Sequence, residues 1–259
     1  MKNILAEIII AKKKEVAQRK MQVPIQVLEQ KLFFTKTTTS LKKFLLDTGK
    51  TGIVAEYKRR SPSKGVINNH STVTDVTLAY EMHGASAISI LTDEFFFGGS
   101  LMDLEEAQQI KIPLLRKDFM IDEYQLVEAK AYGADVILLI ATCLSTAEVK
   151  SMSATAQRLG LEVLLELHDE IELEHLCADV SVVGVNNRSL RTFEVSLEHS
   201  VNLSAQIGKD FVRIAESGIN SVADINYLKQ HGFNGFLIGE HFMKQENPGE
   251  AFKNFAAAL

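Results

Sequence analysis

The stretch Ile53–Gly65, IVAEYKRRSPSKG, starts as the middle of a buried strand and then breaks the pattern of one. Ile53, Val54 and Ala55 are apolar, but Glu56 and Lys58 follow two residues apart. Side chains two apart on a strand point to one face. A glutamate and a lysine therefore share a face at the end of an apolar strand, just before a basic Ser-Pro-Ser-Lys-Gly turn. The residues alone allow two readings. The pair is an ion pair that seals a strand end, or it is charge delivered to a reaction site.

The same layout recurs along the chain. Eight short apolar runs occur: Gly52–Lys58, Ala85–Thr92, Ile112–Phe119, Asp135–Ala141, Leu161–His168, Ser181–Asn187, Phe211–Ser217 and Gly235–Gly239. They are nearly continuous in apolar residues, as strands buried on both faces are. Helical patterns lie between them at Val73–His83, Asp122–Tyr132, Ser145–Leu159 and Ser221–His231, with Ser145 and Ser221 placed as N-caps. Eight β/α units in about 210 residues predict an α/β protein, a closed (β/α)₈ TIM barrel. An open doubly wound sheet is the alternative. No GxGxxG turn follows the first run, which weighs against it. Residues 1–50 read as an N-terminal helical extension with a polar interruption at Thr35–Ser40, and residues 51–259 as the barrel, together one domain.

Composition narrows the partners. The chain has 259 residues, 46% hydrophobic and 24% charged, with a net charge of −5. No long basic run exists, so nucleic-acid binding is not expected. Two cysteines point to a reducing, cytoplasmic setting. No apolar stretch reaches membrane-spanning length. Near the start, Glu7 interrupts the apolar residues and Lys12, Lys13 and Lys14 follow; positions 5, 8, 9 and 16 fit one helix face better than a signal peptide.

The C-terminal rim of a barrel carries its chemistry. The run ends there are polar: Glu56 and Lys58, Lys117 and Asp118, Glu166 and His168, Asn186 and Arg188, Glu216 and Ser217. Carboxylates and lysines at such ends are material for acid–base catalysis. Simpler readings exist for each. Lys117 could reach solvent from the rim, Asp118 could turn outward to cap the helix near Asp122, and His168 could merely begin a loop. Cys143 reads as structural. The histidines are scattered without metal-ligand spacing, so no metal is expected. Gly218 and Gly239 follow the last two runs, where barrels hold phosphate; Lys64 could add a cation.

These stretches, together with ISILTDEFFFGGS, LLRKDFMIDEYQ, GADVILLIA, LLELHDE, VGVNNRSL, IAESGI and FLIGEHFM, resemble the indole-3-glycerol phosphate synthase family in order from about residue 52 to 243. The resemblance implies a barrel whose extension covers the active-site face. It implies ring closure of 1-(2-carboxyphenylamino)-1-deoxyribulose 5-phosphate with loss of CO₂ and water, and no metal or organic cofactor. In that family's pattern Lys117 would be the general acid and Glu166 its acid/base partner in dehydration. Lys58 would hold the substrate carboxylate or donate a proton, and Glu56 would orient the lysines. Asn186 and Arg188 would position the substrate, and Phe119 would be an apolar wall. Ser61, Ser217, Gly218 and Gly239 would contact phosphate. Two departures stand out. Tyr57 replaces a more usual aliphatic residue and should face the helices, and Glu240 stands where some members have serine.

Two other readings compete. One is a sugar-phosphate aldolase using Lys117 as a Schiff base. The isomerase of the same pathway resembles the chain less, since it places a cysteine where Glu56 and Lys58 stand. A non-catalytic binding barrel is the other, and the charged strand ends argue against it. The expected partner is a small molecule only, and the chain reads as a monomer.

Overall fold

Every apolar run becomes a strand, and side-chain alternation sorts each strand between two cores. The structure, a computed structural model, describes residues 4–189 and 194–259. Its barrel strands are β1 (Ile53–Tyr57), β2 (Ala87–Leu91), β3 (Leu114–Lys117), β4 (Val136–Ile140), β5 (Glu162–Leu167), β6 (Val182–Asn186), β7 (Val212–Glu216) and β8 (Gly235–Ile238). All pairings are parallel and sequential, and β1 pairs with both β2 and β8, closing a TIM barrel. The helices are α1 (Ile4–Gln22), α2 (Ile25–Leu28), α3 (Leu41–Leu45), α4 (Val73–Met82), α5 (Glu94–Phe97), α6 (Leu101–Glu106), α7 (Tyr124–Ala131), α8 (Thr146–Arg158), α9 (Leu197–Ser204), α10 (Val222–Gln230), α11 (Glu240–Met243) and α12 (Pro248–Ala256). Ser145 and Ser221 cap α8 and α10, each within a capping box. Among the described residues no helix is long and apolar enough to cross a membrane.

Alternate residues of each strand point inward or outward. Val54, Leu115, Leu138, Leu164, Val182 and Ile214 form a lumen core. Ile53, Tyr57, Ile137, Leu165 and Val183 join the larger core beneath the helices. Tyr57 thus faces the helix layer, where its hydroxyl donates to the Ser71 carbonyl. Continuing each inward series toward the C-terminal rim reaches Glu56, Lys117, Glu166, Asn186 and Glu216.

The extension touches both ends of the barrel. At the N-terminal end Leu41 and Leu45 of α3 join the lumen core and are buried. Each such leucine contributes roughly 1.5–3 kcal/mol of burial, and Leu41→Ala would open a cavity costing about 2–5 kcal/mol. At the other end α1 buries Ile8, Lys12 and Val16, one stripe at four-residue spacing. A buried lysine in the centre of that stripe departs from the apolar face expected from sequence. Its ammonium lies 2.9 Å from Asp118, 3.0 Å from Asp93 and 2.9 Å from Glu15.

Candidate active site

The strand period accounts for the site. Two residues beyond Val54, Leu115, Leu164 and Ile214 the lumen changes from apolar to Glu56, Lys117, Glu166 and Glu216. Asn186 follows Val182 and Gly184 on β6 in the same way. Lys58 continues the β1 series, and its ammonium lies 2.7 Å from Glu56 Oε1. The pair is an ion pair, and it also lines a cavity.

That cavity has a volume of about 410 Å³, within the range of small-molecule sites. All the candidate residues, Glu56, Lys58, Ser61, Lys117, Phe119, Glu166, Asn186, Arg188, Ser217, Gly218 and Gly239, line it. Ile4, Leu5 and Ile8 of α1 form part of its wall, so the extension helps to exclude water. Lys64 also lines it, but Arg59 and Arg60 of the same basic loop do not. Arg59 pairs with Asp103, and Arg60 donates to the carbonyls of Glu94 and Phe95. Half of the loop's basic charge is therefore structural.

At the cavity floor Lys117 Nζ lies 2.9 Å from Glu166 Oε2 and 3.4 Å from Glu216 Oε2. Asn186 Nδ2 donates to Glu166 Oε1 at 2.8 Å. Burial works against the Lys117 ammonium, but Glu166, Glu216 and Glu56 outweigh it and hold its pKa above the ordinary value. Burial also opposes the Glu166 carboxylate, and Lys117, His168 and Asn186 reverse that, so its pKa lies well below the usual range. Glu216 goes the other way. Burial, then the charge of Glu166, pushes its pKa up to about 8 despite Lys117. The floor therefore holds a cation, an anion and a carboxyl that keeps its proton at neutral pH, the split that acid–base chemistry uses.

Sequence reasoning marked Glu216 as a strand-end residue but gave it no role. Its Oε1 has no hydrogen-bond partner among the described residues. It packs so closely on Gly184 that a Cβ there would lie 2.1 Å from Oε1. Gly239 makes the same allowance for Glu56, whose Oε1 would lie 2.5 Å from an added Cβ. Glycine is needed at both places because a carboxylate occupies the space a side chain would take. The GV in VVGVNN was the available signal for the first.

Asp118, His168 and Cys143 lie around this floor. Asp118 does turn outward, but not to cap a helix. It accepts from Thr92 at 2.6 Å and pairs with Lys12 at 2.9 Å and Arg116 at 3.1 Å. The partners lie on distant segments, so local sequence could not show them. His168 is the first residue past β5 and so does begin the loop, but it is buried there beside Glu166. Cys143 has no disulfide, and burial, then Glu166 and Glu172, pushes its thiol up to about 12, so it is no nucleophile at neutral pH.

At the cavity's far end Ser217 and Gly218 are both left-handed, with φ of 68° and 71°. A left-handed serine is uncommon and marks a backbone held for a purpose. Asp224 already accepts the N–H groups of Asn220 and Ser221. Room for an anion in this loop is thus limited to the chain around Ser217 and Gly218, facing Gly239.

The family model described as indole-3-glycerol phosphate synthase matches residues 5–255. An indole-3-glycerol phosphate synthase of Bacteroides thetaiotaomicron is 45% identical over 260 residues, covering 100% of each chain. One from a Polaromonas species is 41% identical, covering 97% of each. Among solved structures, a chain of the tryptophan synthase complex from Pyrococcus furiosus aligns with a TM-score of 0.61 at 15% identity, covering 80% of this chain and 97% of that one. Tryptophan synthase subunit alpha from Legionella pneumophila gives 0.61 at 12% identity, covering 84% and 95%. At such identities these two structures speak for the barrel fold alone.

Proposed function

The chain belongs to the indole-3-glycerol phosphate synthase family, and from that premise we propose that it closes the indole ring of 1-(2-carboxyphenylamino)-1-deoxyribulose 5-phosphate. The products are indole-3-glycerol phosphate, CO₂ and water, which makes the enzyme a carboxy-lyase. The observation that carries the residue roles is the contact of Lys117 with both Glu166 and Glu216 at the floor of a cavity of matching size.

The substrate has a phosphate at one end and a carboxylated aromatic ring at the other. The phosphate goes to the loop of Ser217 and Gly218, with Gly239 and Ser61 opposite. The ring lies toward Phe119 and the apolar residues of α1, with its carboxylate on Lys58. Arg188 and Asn186 hold the chain between. As the aromatic carbon attacks the ketone, Lys117 delivers a proton to the carbonyl oxygen, where negative charge develops. CO₂ then leaves and the ring's electrons are restored. Dehydration follows, with Lys58 giving the proton on which the hydroxyl leaves as water and Glu166 taking the proton given up by the neighbouring carbon. Glu56 keeps Lys58 charged and oriented. No metal or organic cofactor has a part in these steps, and we place the enzyme in the cytoplasm as a monomer.

A Schiff-base role for Lys117 needs a neutral amine. The Glu166 and Glu56 carboxylates favour the ammonium instead, which supports proton donation over covalent catalysis. The test is to mix the purified protein with the carboxyphenylamino-deoxyribulose phosphate and follow indole fluorescence. The chain contains no tryptophan, so product appears over a faint tyrosine background. Signal from wild type that disappears in Lys117→Ala supports the reading. No signal from folded protein, or borohydride trapping of a carbonyl substrate on Lys117, overturns it.

A further inference from the structure

Behind Glu166, on the side away from the cavity, sits a second layer of polar groups that the proposed reaction does not use. His168 is 6% exposed. Its Nε2 lies 3.1 Å from Glu166 Oε1, an ion-pair contact, and Nε2 has no other polar partner among the described residues. Its Nδ1 lies 3.3 Å from Thr142 Oγ1 and 3.8 Å from Glu172 Oε2. Glu172, on the 3₁₀ turn Glu170–His175, is itself buried and accepts from the His168 backbone N–H at 2.6 Å.

Hydrogen-bond bookkeeping fixes the ring. The Thr142 hydroxyl donates its only proton to Glu172 Oε1. Its oxygen can then only accept, so Nδ1 must carry the hydrogen that faces it. That leaves Nε2 for Glu166. A neutral ring would direct a lone pair at a carboxylate, which is repulsive, whereas a protonated ring directs N–H at it. We propose that His168 is a positioning residue that acts through Glu166, presenting Nε2–H to Oε1 while Thr142 and Glu172 hold its tautomer from behind. This rests on the acid/base reading of Glu166 and deepens it. His168 holds Oε1, so Glu166 stays charged and aimed at the substrate with Oε2 toward Lys117.

The surrounding charges agree with this. Burial works against the imidazolium, but Glu166, Glu172 and Glu216 outweigh it and raise its pKa above 6.5. Lys117 lies beyond Glu166, Cys143 is a neutral thiol, and the nearby His199 ring meets His168 at its main-chain oxygen. As pH rises through the raised His168 pKa the ring loses its proton, Glu166 loses a donor, and kcat falls.

The test pairs His168→Leu, which removes the donor, with His168→Gln, which keeps an N–H near the Nε2 position but does not titrate. The Leu variant is expected to lower kcat roughly 10–100-fold with KM changed less than about three-fold. The Gln variant should recover most of that loss and lack the alkaline fall in kcat tied to His168. Leu and wild type with the same kcat and pH profile, or Gln no better than Leu, overturn the proposal, since a packing role alone predicts those results. An independent readout needs no turnover. Nitrogen NMR of the imidazole should show Nδ1 protonated throughout, with a raised pKa that drops in Glu166→Gln. A titration unaffected by Glu166→Gln overturns the proposal even if the enzyme makes indole-3-glycerol phosphate. If the wild type makes no product and the NMR behaves as expected, the fault lies with the functional reading and not with the His168–Glu166 pair.

Discussion

Of the lysines that sit among carboxylates at this end of the barrel, Lys12 and Lys117 differ most in what surrounds them. Lys12 is 1% exposed and contacts Asp118, Asp93 and Glu15 within 3.0 Å. Each buried carboxylate there has further donors. Asp93 accepts from the backbone of Phe96 and Phe97, and Asp118 from Thr92, Arg116 and Phe119. Arg116 also meets Glu128, which Arg19 of α1 joins from outside. Burial opposes both charges, yet Asp118 lies well below the carboxylate range and Lys12 above the lysine range. Lys117 is 15% exposed, opens on a cavity, and has a neighbour, Glu216, with an unpartnered oxygen. A buried charge cluster that satisfies all its groups holds pieces of structure together. One with a spare proton and an open face is equipped for chemistry.

Exchanging the roles in experiment is the strongest way to break that contrast. Lys117→Ala or Glu166→Gln should lower kcat/KM roughly 10²–10⁴-fold, with the melting temperature little changed. The carboxylates left behind can take up protons or water through the cavity. Lys12→Met is the reverse case. It takes the cation shared by the buried Asp93 and Asp118 and should cost about 3–5 kcal/mol, read by denaturant unfolding. Because α1 also walls the cavity, activity falls as the helix loosens, and a proteolytic cut within residues 4–22 should appear first. If Lys117→Ala unfolds the protein, or Lys12→Met leaves stability untouched, the two clusters are not different in kind.

How far the sequence reached follows the same divide. The eight strands, the capped helices and the convergence of Glu56, Lys117, Glu166 and Asn186 were legible because they depend on short-range periods, two residues on a strand and four on a helix. Lys12 was not. Three consecutive lysines lie outside the apolar positions 5, 8, 9 and 16, and only the docking of α1 onto the ends of β2 and β3 makes one of them internal. The Asp118 and Arg116 contacts escaped for the same reason, as did the closing of the barrel's other end by Leu41 and Leu45. Glu216 was visible as a residue but not as a proton holder. That property comes from burial first and then from the proximity of Glu166 and Glu56, neither of which a linear chain displays.

Glu216 sharpens the contrast through pH. Its carboxyl pKa is raised, so the folded state binds more protons than the unfolded one between the ordinary value of 4.5 and about 8. Stability conferred by that proton is present below the lower value and lost as pH rises toward the upper one. Wild-type melting temperature should therefore fall across this window. Glu216→Gln should flatten the slope. The Lys12 cluster carries shifts of the opposite kind and keeps its contribution throughout the window. Asp118 loses it only under strong acid, and Lys12 only under strong base.

A third lysine–carboxylate pair tests whether exposure decides the outcome. Lys64 Nζ lies 3.8 Å from Glu240 Oε1 at the cavity rim, with side chains 55% and 38% exposed. Solvent screens such a pair, which contributes under about 1 kcal/mol. Glu240→Ser should therefore leave the melting temperature within about 2 °C of wild type. It also removes a negative charge beside the proposed phosphate loop and frees Lys64 to face the anion. KM should fall about two- to five-fold with kcat unchanged, and less so in high salt. Lys64→Ala should raise KM by a similar factor. A loss of several degrees in Glu240→Ser would mean that this rim pair acts like the Lys12 cluster despite its exposure, and burial would no longer be what separates charge that holds the fold from charge that serves the substrate.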